Sequence, residues 1–204
     1  MYRLLIIAAL TAIAAGCRAD RNGAVADEAR PGSGGTAAVF GADGRLERPR
    51  DYRRWVYVGA PVTPNDMNGG HAAFPEFHSV YVDPAAYDHY LRQGSWPEGT
   101  VVLKELVSVG GKAASSGKGY FMGEFIGLEA AVKSAARFPD EPGHWGYFRF
   151  TDEDGGAVHR EASVLPTGAC ASCHAAGADD DLVFTQYYPV LRAAKGAGRA
   201  PENL

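Results

Sequence analysis

The residues with the clearest chemistry are Cys170-Ala171-Ser172-Cys173-His174, five in a row near the C-terminus. Two thiols separated by two residues, with a histidine directly after the second, have the spacing for covalent attachment of a haem. Each thiol adds to one vinyl group as a thioether, and the adjacent imidazole reaches the iron from the proximal side. Three other uses of the pair stand beside this one. A zinc half-site would need a second Cys or His pair at suitable spacing, and the sequence offers only scattered histidines. A redox dithiol usually sits at the start of a helix after a strand, whereas Pro166-Thr167-Gly168 reads as a loop. A structural disulfide is the third.

An iron held by His174 has a second axial position. Electron-transfer cytochromes usually close it with Met or His, but the 30 residues after His174 contain neither. The candidates lie upstream, at Met67, Met122, His71, His78, His89, His144 and His159, and none is marked by its local sequence. The expectation is an open distal face where small ligands can bind.

A lysine inside an apolar run is the second chemical candidate. In Val101–Val109 (VVLKELVSV), period-two alternation puts Lys104 on the face shared with Val102 and Leu106. Glu105 faces the other way, with Leu103 and Val107. On an edge strand both charges would snorkel to water or guard against aggregation. In a buried site the amine would be desolvated and could act as a nucleophile.

The elements that must position these groups are mostly short strands. Trp55–Val58, Phe77–Val82, Val101–Val109 and Trp145–Phe150 alternate with period two or are rich in aromatic and β-branched residues. Two helices are expected between them. Asp83 as N-cap and Pro84 at the first position open one, with Tyr87, Tyr90 and Leu91 as its stripe and Gly94 as its stop. Gly127 leads into the other, where Leu128, Val132, Ala135 and Phe138 follow helical spacing up to Pro139. Glu129 and Lys133 would then form a surface pair on that helix. Strands outnumber helices, which predicts an α+β domain, mainly an antiparallel sheet with packed helices.

The opening MYRLLIIAALTAIAAGC has one Arg, an apolar run from Leu4 to Ala15, and then small residues. That order is an export signal, and the run is too short to cross a bilayer as a helix. Ala14-Ala15-Gly16-Cys17 also resembles a bacterial lipobox, which predicts a signal over residues 1–16 and a lipid on Cys17. Ordinary cleavage nearby, or a buried N-terminal helix, are the alternatives. Residues 17–36 read as a flexible tether, 37–194 as one haem-binding domain, and 195–204 as a disordered tail. Three cysteines are too few for a disulfide framework. They divide instead into Cys17 and the pair Cys170 and Cys173. Twenty Lys plus Arg against 24 Asp plus Glu give a formal charge of −4, so no electrostatic case for nucleic-acid binding exists.

Five strings together resemble the cytochrome P-460 family. They are TVVLKELVSVGGKAASSGKGYFMGEFIGLEAAVKSAARFPDEPGHWGYF, WVYVGAPVTPNDMN, VYVDPAAYDHYLRQG, CASCH and FTQYYPVLRAAK. The matching blocks run from about Val39 to Lys195. The resemblance implies a largely antiparallel sheet with helices, usually assembled as a homodimer. It implies one haem c per chain, bound through Cys170 and Cys173, with His174 as the axial ligand of a five-coordinate iron. Lys104 matches the family's lysine that bonds covalently to a meso carbon of the porphyrin. Relatives that lack this lysine, cytochromes c′-β, bind nitric oxide and other small gases instead. The implied activity is oxidation of hydroxylamine to nitrous oxide and nitric oxide, with electrons passed to an acceptor such as another c-type cytochrome.

A carboxylate assists proton transfer in the family. Glu129 is the match, and Glu124 is its less close neighbour. One position departs from the pattern: His78 stands where the best-known relatives have Arg. Alternation puts His78 on the face of Val80 and Val82, where it would line the pocket as a proton relay or sit as a satisfied core residue. The location implied is the bacterial periplasm, with membrane attachment through the lipid on Cys17 alone. A gas-binding cytochrome and a plain electron carrier remain the alternatives to the oxidase.

Overall fold

The computed structural model describes residues 38–152 and 156–197. The expected signal peptide, Cys17 and the tether lie outside these residues. Helix α3 (Pro189–Ala197) runs three residues into the stretch read as tail, and the remainder of that stretch lies outside the described residues as well. Among the described residues, no helix is long and apolar enough to cross a membrane.

Five strands form one antiparallel sheet: β1 (Val56–Gly59), β2 (Phe77–Val82), β3 (Val101–Val109), β4 (Met122–Lys133) and β5 (Trp145–Arg149). Their order in the sheet is their order in the chain. Helix α1 (Pro84–Gln93) joins β2 to β3, and α2 (Thr167–Gly177) and α3 follow β5. The α+β class expected from the sequence is the one observed.

Helix α1 forms as its end signals require. The Asp83 carboxylate accepts from Ala86 N at 2.9 Å, Pro84 opens the helix, and Gly94 closes it at φ 68°. The second Asp83 oxygen accepts from Val101 N at 2.9 Å, so the same side chain also ties the helix start to β3.

The expected second helix from Gly127 is not there: these residues belong to β4. Leu128 and Val132, four apart, satisfy a helical stripe and a strand face equally well, and Ala130 between them is also buried. Glu129, Ala130 and Ala131 favour helix on propensity. Pairing with β3 on one side and β5 on the other overrides that preference. The Pro166-Thr167-Gly168 loop was also misplaced, since α2 begins at Thr167 and carries the whole Cys170–His174 motif. Its small residues bury only Ala171 and leave no apolar stripe to read.

The sheet has two unlike faces. Val101, Leu103, Leu128, Ala130, Val132, Phe148 and Phe150 point into one core, closed by Leu46 and Ala162 from the two-residue ribbon Leu46–Glu47 with Glu161–Ala162. Val80, Val82, Trp145 and Tyr147 point the other way and pack with Ala171, Leu191 and Ala194 from α2 and α3. Gly146 on β5 faces the first core directly beneath the Phe138 ring, where a Cβ would lie 2.5 Å from ring carbon Cζ. Gly146→Ala is therefore expected to overpack the core and destabilise the fold by about 1–3 kcal/mol, measured by thermal or denaturant unfolding. An unchanged midpoint would show that the ring shifts freely.

Candidate functional site

Strand register builds a polar row across the second face. Val80 on β2 pairs with Lys104 on β3, Lys104 with Glu129 on β4, and Glu129 with Arg149 on β5. Directly opposed residues share a face. Lys104 Nζ lies 2.8 Å from Glu129 Oε2, and Arg149 Nε donates to Glu129 Oε1 at 3.2 Å. Glu129 is thus clasped between two cations and keeps only 13% of its side chain exposed. Burial alone would raise this carboxyl. Lys104 first, and Arg149 behind it, reverse the effect and hold Glu129 below the ordinary carboxylate value of 4.5.

These partners replace the Glu129–Lys133 pair expected on a helix. On a strand both residues do share a face, but Lys133 turns to Asp181 at 2.9 Å. The edge-strand reading of Lys104 falls too, because β3 is the middle strand of five. Lys104 Nζ stands 5.5 Å from the centre of the Phe74 ring, a cation–π contact from the loop before β2. Glu105, on the opposite face, is paired separately: Arg53 donates to both of its oxygens at 3.0 and 2.8 Å, and Tyr52 OH donates at 2.7 Å.

Helix α2 faces this row from outside the sheet. Cys170, Cys173 and His174 are three and four residues apart, so one side of the helix carries all three. The two thiols are not bridged. Burial, with Glu129 next, pushes the Cys170 thiol above its ordinary value, so it is neutral at neutral pH. The His174 ring sits between Tyr147 and Phe184, with centroids 4.8 and 4.7 Å away. Its Nδ1 donates to the Leu182 carbonyl at 2.6 Å, which leaves Nε2 as the nitrogen available to a metal. Burial lowers its pKa and favours the neutral imidazole that binds metal.

One cavity of about 410 Å³ is lined by Lys104, Glu129, Arg149, Cys170, Cys173 and His174 together. Val80, Val102, Ala131, Tyr147, Leu182 and Phe184 supply apolar walls. The donor set suits a haem: two thiols and an imidazole on one helix side, and flat aromatic and aliphatic walls. Of the polar atoms on lining residues, the buried Trp145 Nε1 has no hydrogen-bond partner, whereas His78 Nε2 lies 3.6 Å from Glu76 Oε1. Among the described residues, no group of three or more His, Cys, Asp or Glu is arranged to hold a metal ion by itself.

Of the seven upstream Met and His candidates for a second axial ligand, His78 alone lines the cavity. Met67 is 73% exposed. Glu124, the alternative to Glu129, is exposed and outside the lining. Arg149 and Phe74 were not singled out from the sequence. Arg149 was accessible, because it alternates with Tyr147 and Trp145 on a recognised strand. Phe74 lies in irregular chain, and nothing local marks it.

The sequence model of the cytochrome P-460 family matches residues 49–185 of the 204. The chain belongs to the cytochrome P-460 family. No curated protein sequence matches it. Membership makes it a haem cytochrome of a family known for oxidoreductase activity. The matched span includes β1 to β5 and α2, and so holds every element that lines the cavity up to Thr185.

The charge clasp of this cytochrome has a pH signature. Glu129 has a depressed pKa in the folded state. Its contribution is fully present above about 4.5 and is lost as pH falls through the lower folded value. Glu129→Gln should therefore lower stability at pH 7 and show a shallower acid limb than the parent in unfolding midpoints measured from pH 7 to pH 3. Parallel acid limbs in the two proteins would remove Glu129 as the titrating group.

Proposed function

We propose that this cytochrome oxidises hydroxylamine, to nitrous oxide and nitric oxide, at a haem c attached through Cys170 and Cys173, ligated by His174 and crosslinked to Lys104. The observation that supports this reading is the meeting of the Lys104 amine and the Glu129 carboxylate in the same cavity as the attachment residues. A haem held there by Cys170, Cys173 and His174 would supply an iron able to bind a small nitrogen compound and accept its electrons.

The protein residues divide the remaining work. Oxidation of hydroxylamine breaks N–H and O–H bonds, and each proton needs an acceptor within reach. Glu129, ionised at neutral pH and largely shielded from water, is that acceptor. Bonding of the Lys104 nitrogen to a ring carbon would break an N–H and a ring C–H bond and would need a two-electron oxidant supplied from outside the protein; Glu129 Oε2, 2.8 Å from Nζ, is placed to take the amine proton. Arg149, donating to Glu129 Oε1 at 3.2 Å, keeps the carboxylate in position. The apolar walls limit the access of bulk water to the reacting centre. The protein works after export, in the periplasm, anchored through lipidated Cys17 and assembled as a homodimer. Its electrons leave to another c-type cytochrome.

Two measurements test the proposal. In tryptic mass spectra of the mature protein, the Lys104 peptide should carry haem together with the Cys170–Cys173 peptide. A haem-free Lys104 peptide would sink the crosslink, and with it the oxidase reading in favour of gas binding. Lys104→Ala should retain covalent haem, lose the red-shifted ferrous Soret band and lose hydroxylamine oxidation. Glu129→Gln should keep full haem content while kcat falls about 100-fold, at the lower end for loss of a positioned base. Unchanged turnover would strip Glu129 of this role.

A further inference from the structure

The chain on the far side of His174 is held by an arrangement that the haem reading does not require. The Leu182 carbonyl, which accepts from His174 Nδ1 at 2.6 Å, belongs to a residue in the left-handed region, with φ 61°. Asp181 before it has φ 47°. Facing them is a second left-handed corner, Gly143 at φ 59° and His144 at φ 62°. The two corners touch, since a Cβ on Gly143 would lie 3.1 Å from both Asp181 Oδ1 and Leu182 Cδ1.

Lys133, at the end of β4, joins them. Its Nζ donates to the Gly143 carbonyl at 2.8 Å and pairs with Asp181 Oδ2 at 2.9 Å, 5.4 Å from the centre of the Trp145 ring. Only 14% of the lysine side chain is exposed. The preceding residue is anchored as well: Asp180 accepts from Tyr90 OH at 2.5 Å and pairs with Lys195 at 3.3 Å. Two consecutive aspartates thus fix the strained peptide that presents its carbonyl to the imidazole. A non-glycine pair in the left-handed region persists only where surroundings impose it, and such strain gathers at functional sites.

We propose that the Lys133–Asp181 ion pair is a positioning device for the proximal ligand. It holds the Leu182 carbonyl against His174 Nδ1 and so keeps the imidazole a strong donor to the iron. A hydrogen bond to the outer nitrogen of a ligating histidine raises its basicity and fixes its ring, and loss of such support typically costs 10–100-fold in affinity or activity. Stronger donation favours the ferric state, so loosening the carbonyl should raise the reduction potential. The inference rests on ligation by His174 and not on the identity of the substrate.

The test compares the mature holoprotein with Lys133→Met, Lys133→Arg and Asp181→Asn. Asparagine tolerates the left-handed backbone, so that variant removes charge with little added strain. The readouts are the iron–imidazole stretching band of the ferrous protein and the reduction potential. Lys133→Met and Asp181→Asn should lower the band frequency. Each should also shift the ferrous-to-ferric ratio at a fixed potential about tenfold toward ferrous, which is ~59 mV for one electron. Lys133→Arg, which keeps the cation, should stay near the parent. Parent values in Asp181→Asn overturn the proposal even if Lys133→Met fails to accumulate, as does a Lys133→Arg shift equal to that of Lys133→Met. A parent protein with no iron–imidazole band overturns ligation by His174 itself, whereas a moved band without hydroxylamine turnover overturns only the proposed reaction.

Discussion

A carboxylate in the middle of a sheet, away from its edges, has to be compensated, and Glu129 sets that requirement for the whole cavity. Removing one partner from a fully buried pair costs roughly 3–5 kcal/mol, and somewhat less here, since Lys104 retains 27% exposure. The compensation comes from the two neighbouring strands at the same level of the register. For Lys104 and Arg149 to reach one carboxylate, β3, β4 and β5 must be adjacent, antiparallel and aligned to the residue. A slip of one position in any one of these strands would turn its charge toward the aliphatic core and break the clasp. Register, cavity and charge clasp are therefore one constraint.

The neighbouring residues Lys104 and Glu105 show how alternation separates two jobs. Lys104 goes to the cavity. Glu105 goes to the other face, where Arg53 and Tyr52 satisfy it. Each charge has partners on its own side, so the central strand carries both without an unpaired buried ion. The core on the Glu105 side is packed with aliphatic and aromatic side chains, and the cavity opens on the face covered by α2 and α3.

Much of this was legible in the sequence because it depended on short-range chemistry. The Cys170–His174 spacing, the faces of Lys104 and His78, and the capped α1 all follow from local geometry. The misreadings have a common physical source. Residues 128–132 fit both periods, and only the flanking strands decide between them. The helix carrying the cysteines has no apolar stripe, and its inner side faces the cavity. Ion-pair partners were the least legible feature. Glu129 and Lys133 are close in sequence and share a face, yet each pairs with residues brought in by the fold, Lys104 and Arg149 for one and Asp181 for the other. Register across strands is long-range information that a single sequence does not contain.

Under the proposed crosslink, Lys104 cannot keep both of its relationships. As an ammonium it holds Glu129 ionised and at low basicity. Once its nitrogen is bonded to the porphyrin, that positive charge is gone. Glu129 then has Arg149 as its remaining counter-charge, while the burial that raises its pKa is undiminished. Its affinity for protons must rise, and a carboxylate with a pKa closer to the working pH is the better general base. Maturation at Lys104 would thus do two things through one bond. It would change the ring that receives electrons and sharpen the group that receives protons. On that proposal Glu129 would take a proton from the lysine during maturation and from the substrate afterwards.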